Sequence, residues 1–242
     1  VKYQALSQGY VTRYTHLGYA TGFIITHDMY ADNQYSQFMT RATQTTTMAA
    51  DQTLETLCGN MLDRAFNSTY TGADGVELCS KVHPNPGAAG GTFSNMPDTA
   101  QQLNELALED AWTQIGNWTD PVGMKIKLRP QTLIVPVSRF IEAHRILDAV
   151  LQYNTANNAP NVLKQQQLIP GGILMSNFIS LTKSFFLKTD CPAGLTAFMR
   201  EKPELLPSPD NDFDTRNAKY AIWFRTSFGW GDPHTVWGTV GI

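Results

Sequence analysis

Residues 32–67 read DNQYSQFMTRATQTTTMAADQTLETLCGNMLDRAFN, a stretch with no proline and one glycine, Gly59. Apolar or small residues recur in it at steps of three and four, which predicts a helix with one buried stripe. They are Tyr35, Phe38, Met39, Ala42, Met48, Ala49, Thr53, Leu54, Leu57, Met61, Leu62 and Ala65. At about 1.5 Å per residue this helix would be roughly 50 Å long, about three times the mean length in globular domains. The run Thr45–Thr47 has low helix propensity, so a break at the middle stays open.

The segments on either side of this helix differ from it in character. Residues 9–27 are rich in Tyr, Thr, Phe and Ile and lack proline, which favours extended β structure, broken or bent at Gly18 and Gly22. Residues 70–97 hold the Pro and Gly clusters typical of loops. A body of 242 residues cannot cover so long a helix if it is compact, so we expect an elongated or plate-like subunit.

Residues 98–190 alternate between helix and strand patterns, which favours a small α/β domain. The predicted elements are a helix from Asp98 or Thr99 to about Trp118, a buried strand over 132–137, a helix from 138 to about 152, a polar loop over 153–160, and strands over 172–176 and 184–189.

The C-terminal part predicts a return to β structure. A Pro/Asp-rich connector covers 203–212, and then Tyr220, Ile222 and Phe224 alternate with Trp223 and Arg225 as in a half-buried strand. A tail punctuated by glycines follows from Gly229. The order of all these segments predicts two subdomains, one of them interrupted by the other.

The composition favours a protein that contacts copies of itself rather than one that grips nucleic acid. Hydrophobic residues make up 42% and charged residues 16%, below the roughly 25% charge of an ordinary soluble domain. A surface with few charges loses its water cheaply at an interface. The net charge is −3 and the densest basic run is Lys125, Lys127 and Arg129, which we interpret as a solvated strand face. The sequence shows no basic stripe of the kind that binds DNA.

The sequence predicts no catalytic, metal or cofactor site. The five histidines lie in separate elements, and no two of them stand one helical turn apart. The three cysteines, Cys58, Cys79 and Cys191, are far apart and are interpreted as reduced, buried thiols. The five tryptophans are interpreted as core or interface residues. No apolar run reaches the length of a membrane span.

Three stretches, in this order and at this spacing, resemble one family. They are QGY at 8–10 with YTHLGYATGF at 14–23 and THDMYADNQY at 26–35, leading into a helix that ends RAFN at 64–67; LRPQTLIVP at 128–136 with AHRIL at 143–147 and TANN at 155–158; and DFDTRNAKY at 212–220 with SFGWGDP at 227–233 and WG at 237–238. Together they are similar to the major capsid proteins of tailed bacteriophages, in the branch that includes the Mu-type major head subunit.

The resemblance implies an α+β fold with an extended β-hairpin loop, a peripheral domain built on a long spine helix and a β-sheet, and an axial α/β domain. By analogy, residues 1–27 belong to the extended loop and 28–97 to the peripheral domain with its spine helix. Residues 98–202 form the axial domain and 203–242 return to the peripheral sheet. By this analogy the family's N-terminal arm would lie outside these residues, and because they begin with Val1 rather than Met we expect the start of the chain to have been trimmed, processed or left out.

The resemblance also implies a function and partners. The chain is expected to be a structural subunit without enzymatic activity or cofactor, forming hexamers and pentamers of an icosahedral virion capsid. Assembly would take place in the host cytoplasm, with portal, scaffold and decoration proteins as further partners. The shell would enclose DNA without sequence-specific binding, and no membrane is involved. The candidate subunit-interface residues are Arg13, Tyr14, Tyr153, Asn154, Asn157, Asn158, Trp230 and Asp232.

Two alternatives stay open at this point. One is a shell subunit of a bacterial nanocompartment, which encloses enzymes instead of DNA. The other is a secreted carbohydrate-binding or hydrolytic protein that uses exposed aromatic and acidic side chains, for which a cleft with convergent carboxylates would be needed.

Overall fold

The computed structural model describes residues 9–85, 91–120, 123–152, 159–192, 194–207 and 214–242. Its elements are β1 (Leu17–Ile25), α1 (His27–Ala31), α2 (Tyr35–Asp63), β2 (His83–Pro84), β3 (Thr92–Phe93), α3 (Glu105–Gly116), β4 (Pro130–Pro136), α4 (Val137–Asp148), α5 (Val162–Gln165), β5 (Ile173–Ser176), β6 (Phe185–Thr189), β7 (Leu195–Pro207), β8 (Ala218–Trp230) and β9 (Val236–Thr239).

The chain divides into two compact units. The smaller unit consists of Tyr14–Cys58 and Ala197–Gly229, and the larger unit is built mainly from Gly59–Thr196 and Trp230–Ile242. The predicted interruption of one subdomain by another corresponds to this arrangement of segments along the chain. The four predicted domain segments, with their roles in a capsid fold, stay a prediction.

Helix α2 is the long helix that the sequence predicts, and it spans 29 residues without a break. The run Thr45–Thr47 does not interrupt it. The hydroxyl of Thr46 donates to the main-chain carbonyl of Ala42 at 2.7 Å, and that of Thr53, further along, donates to the carbonyl of Ala49 at 2.7 Å. The helix is shorter than the predicted 32–67. It begins after Asn33, whose φ of 54° lies outside the helical region.

The smaller unit holds a three-stranded sheet in the order β1-β8-β7. Strands β1 and β8 are antiparallel, with Tyr19 opposite Phe224 and Phe23 opposite Tyr220, and the rings of these pairs stack at 5.5 and 5.3 Å. Cross-strand aromatic pairs of this kind stabilise a sheet. The other side of the core is α2, whose Ala50 packs with Ile222 and Phe224, so the predicted alternation in β8 is confirmed.

A break of β1 at its glycines is not observed, and the predicted connector after β7 is partly wrong. Strand β1 runs through Gly18 and Gly22 without interruption, and Gly22 serves a close approach instead, since a Cβ atom there would lie 2.4 Å from the carbonyl oxygen of Tyr220. Strand β7 extends to Pro207, so the first half of the predicted 203–212 connector is strand.

The larger unit holds a four-stranded sheet in the order β5-β4-β6-β9. Strands β4 and β5 are parallel and are joined through α4 and α5, while β6 pairs antiparallel with β4 and β9. Its core combines the sheet with α3 and α4, and Leu133, Phe185 and Trp237 are fully buried. The strands predicted at 132–137, 172–176 and 184–189 and the helix predicted at 138–152 are therefore confirmed within a few residues.

Two elements of this unit differ from expectation. Helix α3 begins at Glu105 and not after Asp98 or Thr99, because the side chain of Asn104 accepts a hydrogen bond from the main-chain N–H of Ala107 at 2.7 Å and caps the helix there. The glycine-punctuated tail contains β9. Gly238 lets this strand lie against β6, since a Cβ atom would stand 2.6 Å from the ring of Phe186.

Candidate subunit interface

Two of the predicted interface residues stand just before β1. Arg13 is exposed. Tyr14 is half-buried in the smaller unit, its ring 4.8 Å from that of Phe198 and packed on the bare backbone of Gly229. Burial raises the pKa of the Tyr14 hydroxyl. Only Arg13 of this pair therefore offers its side chain fully to solvent.

Trp230 and Asp232 lie in the larger unit and both make contacts within it. The ring of Trp230 packs against the buried cluster that includes Leu62 and Phe186. A carboxylate oxygen of Asp232 accepts hydrogen bonds from the main-chain N–H of His234 at 2.9 Å and from its Nδ1 at 2.6 Å. Burial pushes the pKa of Asp232 upward, but the hydrogen bonds and charge of His234 outweigh it and leave the pKa lowered. The side chain of Asp232 thus stabilises the turn that precedes β9.

The other four predicted interface residues, Tyr153, Asn154, Asn157 and Asn158, lie outside the described residues. On either side of them, Gln152 donates its main-chain N–H to the carbonyl of Ala159 at 2.9 Å, and Leu151 bridges to Pro160. The residues that flank this segment therefore lie next to each other, close to the C-terminal end of α4.

Two fully buried polar side chains of the larger unit, Asn95 and His83, form the centre of a structural network. Asn95 has no exposed surface, and its Nδ2 donates to the carbonyls of Leu78, Pro233 and Val236 at 2.6, 3.0 and 3.0 Å. Its Oδ1 accepts from the main-chain N–H of Ser80 at 2.8 Å and lies 3.2 Å from Nε2 of His83.

His83 is the second member of this network. Its Nδ1 lies 2.6 Å from a carboxylate oxygen of Asp74, and both side chains are almost completely buried. The ring of Phe93 stacks between His83 and His234, with centroid distances of 5.0 and 4.0 Å. The sequence interpretation treated these histidines as separate. The fold brings His83 and His234 together around one phenylalanine, and each has a carboxylate partner, Asp74 and Asp232 respectively.

An open cleft of about 380 Å³ beside α4 and α5 is another place where polar side chains gather. There Nδ1 of His144 lies 2.7 Å from a carboxylate oxygen of Asp148, and Nζ of Lys164 donates to the main-chain carbonyl of Asp148. Both contacts tie side chains to the end of α4 and leave no converging set of acids. Across the described ranges, no group of three or more His, Cys, Asp or Glu side chains is placed to hold a metal ion.

The cysteines and tryptophans follow the sequence interpretation in part. Cys79 is buried, and burial raises the pKa of its thiol. Cys58 is exposed and Cys191 is half-buried, so the expectation of three buried thiols is wrong for these two. Within the described residues, none of the three forms a disulfide. Trp118 and Trp237 fill the core as predicted, whereas 44% of Trp223 is exposed on β8.

The larger unit also exposes apolar side chains, among them Leu106, which the apolar spacing along the predicted α3 wrongly groups with the buried Leu103 and Ala107. Leu106 on α3, Ile141 on α4 and Leu174 on β5 are 69%, 66% and 54% exposed. Periodicity marks only the buried stripe of an element, so an apolar residue on the other face gives no separate signal. Exposed apolar side chains mark a protein contact surface where they form a contiguous patch, whereas single ones are common on soluble proteins.

No helix in the described part of the chain combines the length and apolar character that crossing a membrane requires.

Comparison with known proteins defines the class. A family model described as "Phage capsid protein" matches residues 10–237. The fold is similar to that of Mycobacterium phage Patience, with a TM-score of 0.55, 10% identity and coverage of 98% of this chain and 75% of the other. It is also similar to the virus-like particle from Pyrococcus furiosus, with a TM-score of 0.50, 13% identity and coverage of 93% and 76%. No curated protein sequence matches the chain.

The chain belongs to the phage capsid protein family. It has the mixed α+β fold of phage capsid proteins and is a structural subunit of a capsid shell.

Proposed function

We propose that this subunit assembles into hexamers and pentamers that tile an icosahedral shell around packaged double-stranded DNA. The observation that supports this is the family match over residues 10–237, nearly the whole chain. The exposed apolar side chains on α3, α4 and β5 give such contacts a physical basis, since each would leave water when copies meet.

The finer assignments belong to the same proposal. The chain would fall in the branch of the Mu-type major head subunit, with 1–27 as extended loop, 28–97 as peripheral domain, 98–202 as axial domain and 203–242 returning to the peripheral sheet. Assembly would occur in the host cytoplasm with portal and scaffold proteins, and a decoration protein could bind the finished shell. The subunit would have no catalytic role.

The predicted interface residues are proposed to have two different roles. Arg13 and the segment with Tyr153, Asn154, Asn157 and Asn158 are proposed to contact neighbouring subunits directly. Tyr14, Trp230 and Asp232 make contacts inside their own units, so we propose that they shape the surface around these contacts.

A second candidate is a shell that encloses a cargo other than DNA. The similarity of the fold to that of a virus-like particle supports this second candidate. Both candidates predict closed shells, and the contents distinguish them. Nuclease-resistant DNA in purified particles supports the phage capsid, whereas particles that contain a protein cargo and no DNA support the nanocompartment.

Electron microscopy tests the proposal. We expect the protein, expressed alone or with the neighbouring genes of its locus, to form rings of five or six subunits or closed polyhedral shells. Persistent monomers under both conditions would contradict it. The chain with Leu174 replaced by glutamate provides the matched variant, as argued below.

A further inference from the structure

We propose that the exposed face of the three-stranded sheet in the smaller unit binds the phosphate backbone of DNA. We call it the outer sheet face and define it by Arg200, Lys202, Trp223 and Arg225. The proposal rests on the proposed function, because a shell around DNA supplies the polyanion, and it names the surface of the subunit that would touch it.

The register of β1 and β8 defines this face. Gly18 pairs with Arg225, Ala20 with Trp223 and Ile24 with Lys219. Side chains alternate along a strand, so these residues lie opposite to Ile222 and Phe224, which are buried against Ala50 of α2. The outer sheet face is therefore the side of the sheet that α2 does not cover.

Two contacts show which residues of β7 share this face. The ring of Phe198 touches that of Tyr14, which lies on Gly229, and Gly229 has the same parity in β8 as Arg225. Leu205 packs with the buried cluster on the α2 side. Alternation from both anchors places Arg200 and Lys202, each exposed, beside Trp223 and Arg225.

The outer sheet face carries an excess of positive charge. Its three cations, Arg200, Lys202 and Arg225, stand against one acid, Glu204, and Lys219 lies on the same face towards the start of β8. On α2, the acids Asp51 and Glu55 are exposed together with Arg41. Within the described residues, Arg200, Lys202 and Arg225 form no ion pair, so their charge is available to a partner.

The sequence alone does not reveal this surface because no basic run encodes it. Arg200 and Lys202 alternate with Glu201 and Pro203, and Arg225 is more than twenty positions away along the chain. Pairing of the strands brings the cations together. The linear basic run at Lys125–Arg129, by contrast, lies in the larger unit.

The geometry suits the backbone of a DNA duplex better than a single acidic peptide. Cations two residues apart on a strand are about 6.7 Å apart, and neighbouring strands add about 4.8 Å, so the charges form a broad patch instead of a line. The neighbouring β1 residues Gly18, Ala20 and Gly22 have no side chain or a small one, so they do not keep a DNA backbone away from the cations. Three or four neutralised phosphates give weak, sequence-independent binding, which fits DNA that is contained and not gripped.

The test measures binding of a short random-sequence DNA duplex to the unassembled full chain over a range of salt concentrations. We expect a log–log salt slope of about −3, from about −0.9 per neutralised phosphate. Replacing Arg200 and Arg225 by glutamate should weaken binding at low salt by at least about tenfold and bring the slope towards zero. The matched control, Lys127→Glu with Arg129→Glu, makes the same change of charge on exposed residues of the larger unit and should bind like the unmodified chain.

Several outcomes would overturn the proposal. Among them are absence of DNA binding by the unmodified chain at low salt, and an equal loss in both double variants. If the duplex does not bind but the Arg200/Arg225 variant alone fails to form shells, the face contacts protein instead. If Arg200→Glu with Arg225→Glu prevents folding, Arg200→Gln with Arg225→Gln is used instead, because it removes the positive charges without reversing them. Shells are scored separately by electron microscopy, so shells without DNA binding refute this inference, and absence of shells refutes the proposed function.

Discussion

Asn95 connects three parts of the larger unit through one buried amide. Replacing it by aspartate keeps the shape but turns the donor into an acceptor, so the carbonyls of Leu78, Pro233 and Val236 lose their hydrogen bonds. Leaving buried acceptors unpaired costs about 1–3 kcal/mol each, in part relieved by relaxation. We expect Asn95→Asp to lower the free energy of unfolding by about 3 kcal/mol or more, measured by urea denaturation.

Asn117→Asp is the control for this substitution. Asn117 is exposed and accepts a hydrogen bond from Nζ of Lys125 at 2.6 Å, which a carboxylate also accepts, so a change within about 0.5 kcal/mol is expected. Equal effects of the two substitutions would show that the network around Asn95 does not stabilise the fold as argued.

Asp232 gives a prediction for pH at the same scale. Hydrogen bonds from His234 lower its pKa in the folded chain despite its burial. A carboxylate with a lowered folded pKa contributes stability that is present above its unfolded value, about pH 4, and is lost as the pH falls through the folded pKa. The difference in unfolding free energy between the unmodified chain and Asp232→Asn should therefore shrink as the pH falls below about 4. A difference that stays constant or grows from pH 6 to pH 3 would contradict this role.

At the scale of elements, Gly59 controls how α2 meets the segment before β6. A Cβ atom at Gly59 would lie 2.5 Å from the carbonyl oxygen of Phe178 and 2.8 Å from its Cβ. Alanine favours a helix over glycine by about 1 kcal/mol, but here the backbone would have to move. We expect Gly59→Ala to lower the melting temperature, with a net cost of about 1–3 kcal/mol.

Gly116 at the end of α3 is the matched helical glycine. Nothing lies within 4 Å of a Cβ atom placed there, so Gly116→Ala should leave the melting temperature unchanged or raise it slightly. If Gly59→Ala stabilises the chain as much as Gly116→Ala, the close approach of α2 to Phe178 is not tight in solution.

The elements differ in how far the sequence predicts them, and the reasons are physical. Periodicity finds α2, β4 and the alternating strand β8, because each buries one regular set of side chains. It misplaces the start of α3, since Asp98, Thr99 and Asn104 all have capping side chains and only tertiary structure selects among them. It misses β9, whose buried residues Val236 and Trp237 give too short a pattern. The Asn95 network and the outer sheet face depend on contacts between distant segments, which no local pattern encodes.

On the scale of the whole molecule, shell formation requires the larger unit to expose surface that is buried only when copies meet. Strand β5 lies at an edge of the four-stranded sheet, and its Leu174 is 54% exposed. An edge strand with exposed apolar side chains is a natural place for another chain to pack. A glutamate at this position keeps its water in the free subunit but loses it at an interface, where an unpaired charge is costly.

Leu174→Glu is therefore expected to prevent assembly while leaving the fold of the subunit intact. The free energy of unfolding should change by about 0.5 kcal/mol or less, because the side chain is already exposed, while rings and shells disappear in electron micrographs. Thr113→Glu introduces the same charge at an exposed polar position of α3 and should assemble normally. If the Leu174 variant forms normal shells, the edge of β5 is not a subunit contact. If both variants fail, added negative charge alone prevents assembly, and the low charge of the whole surface matters more than any one apolar residue.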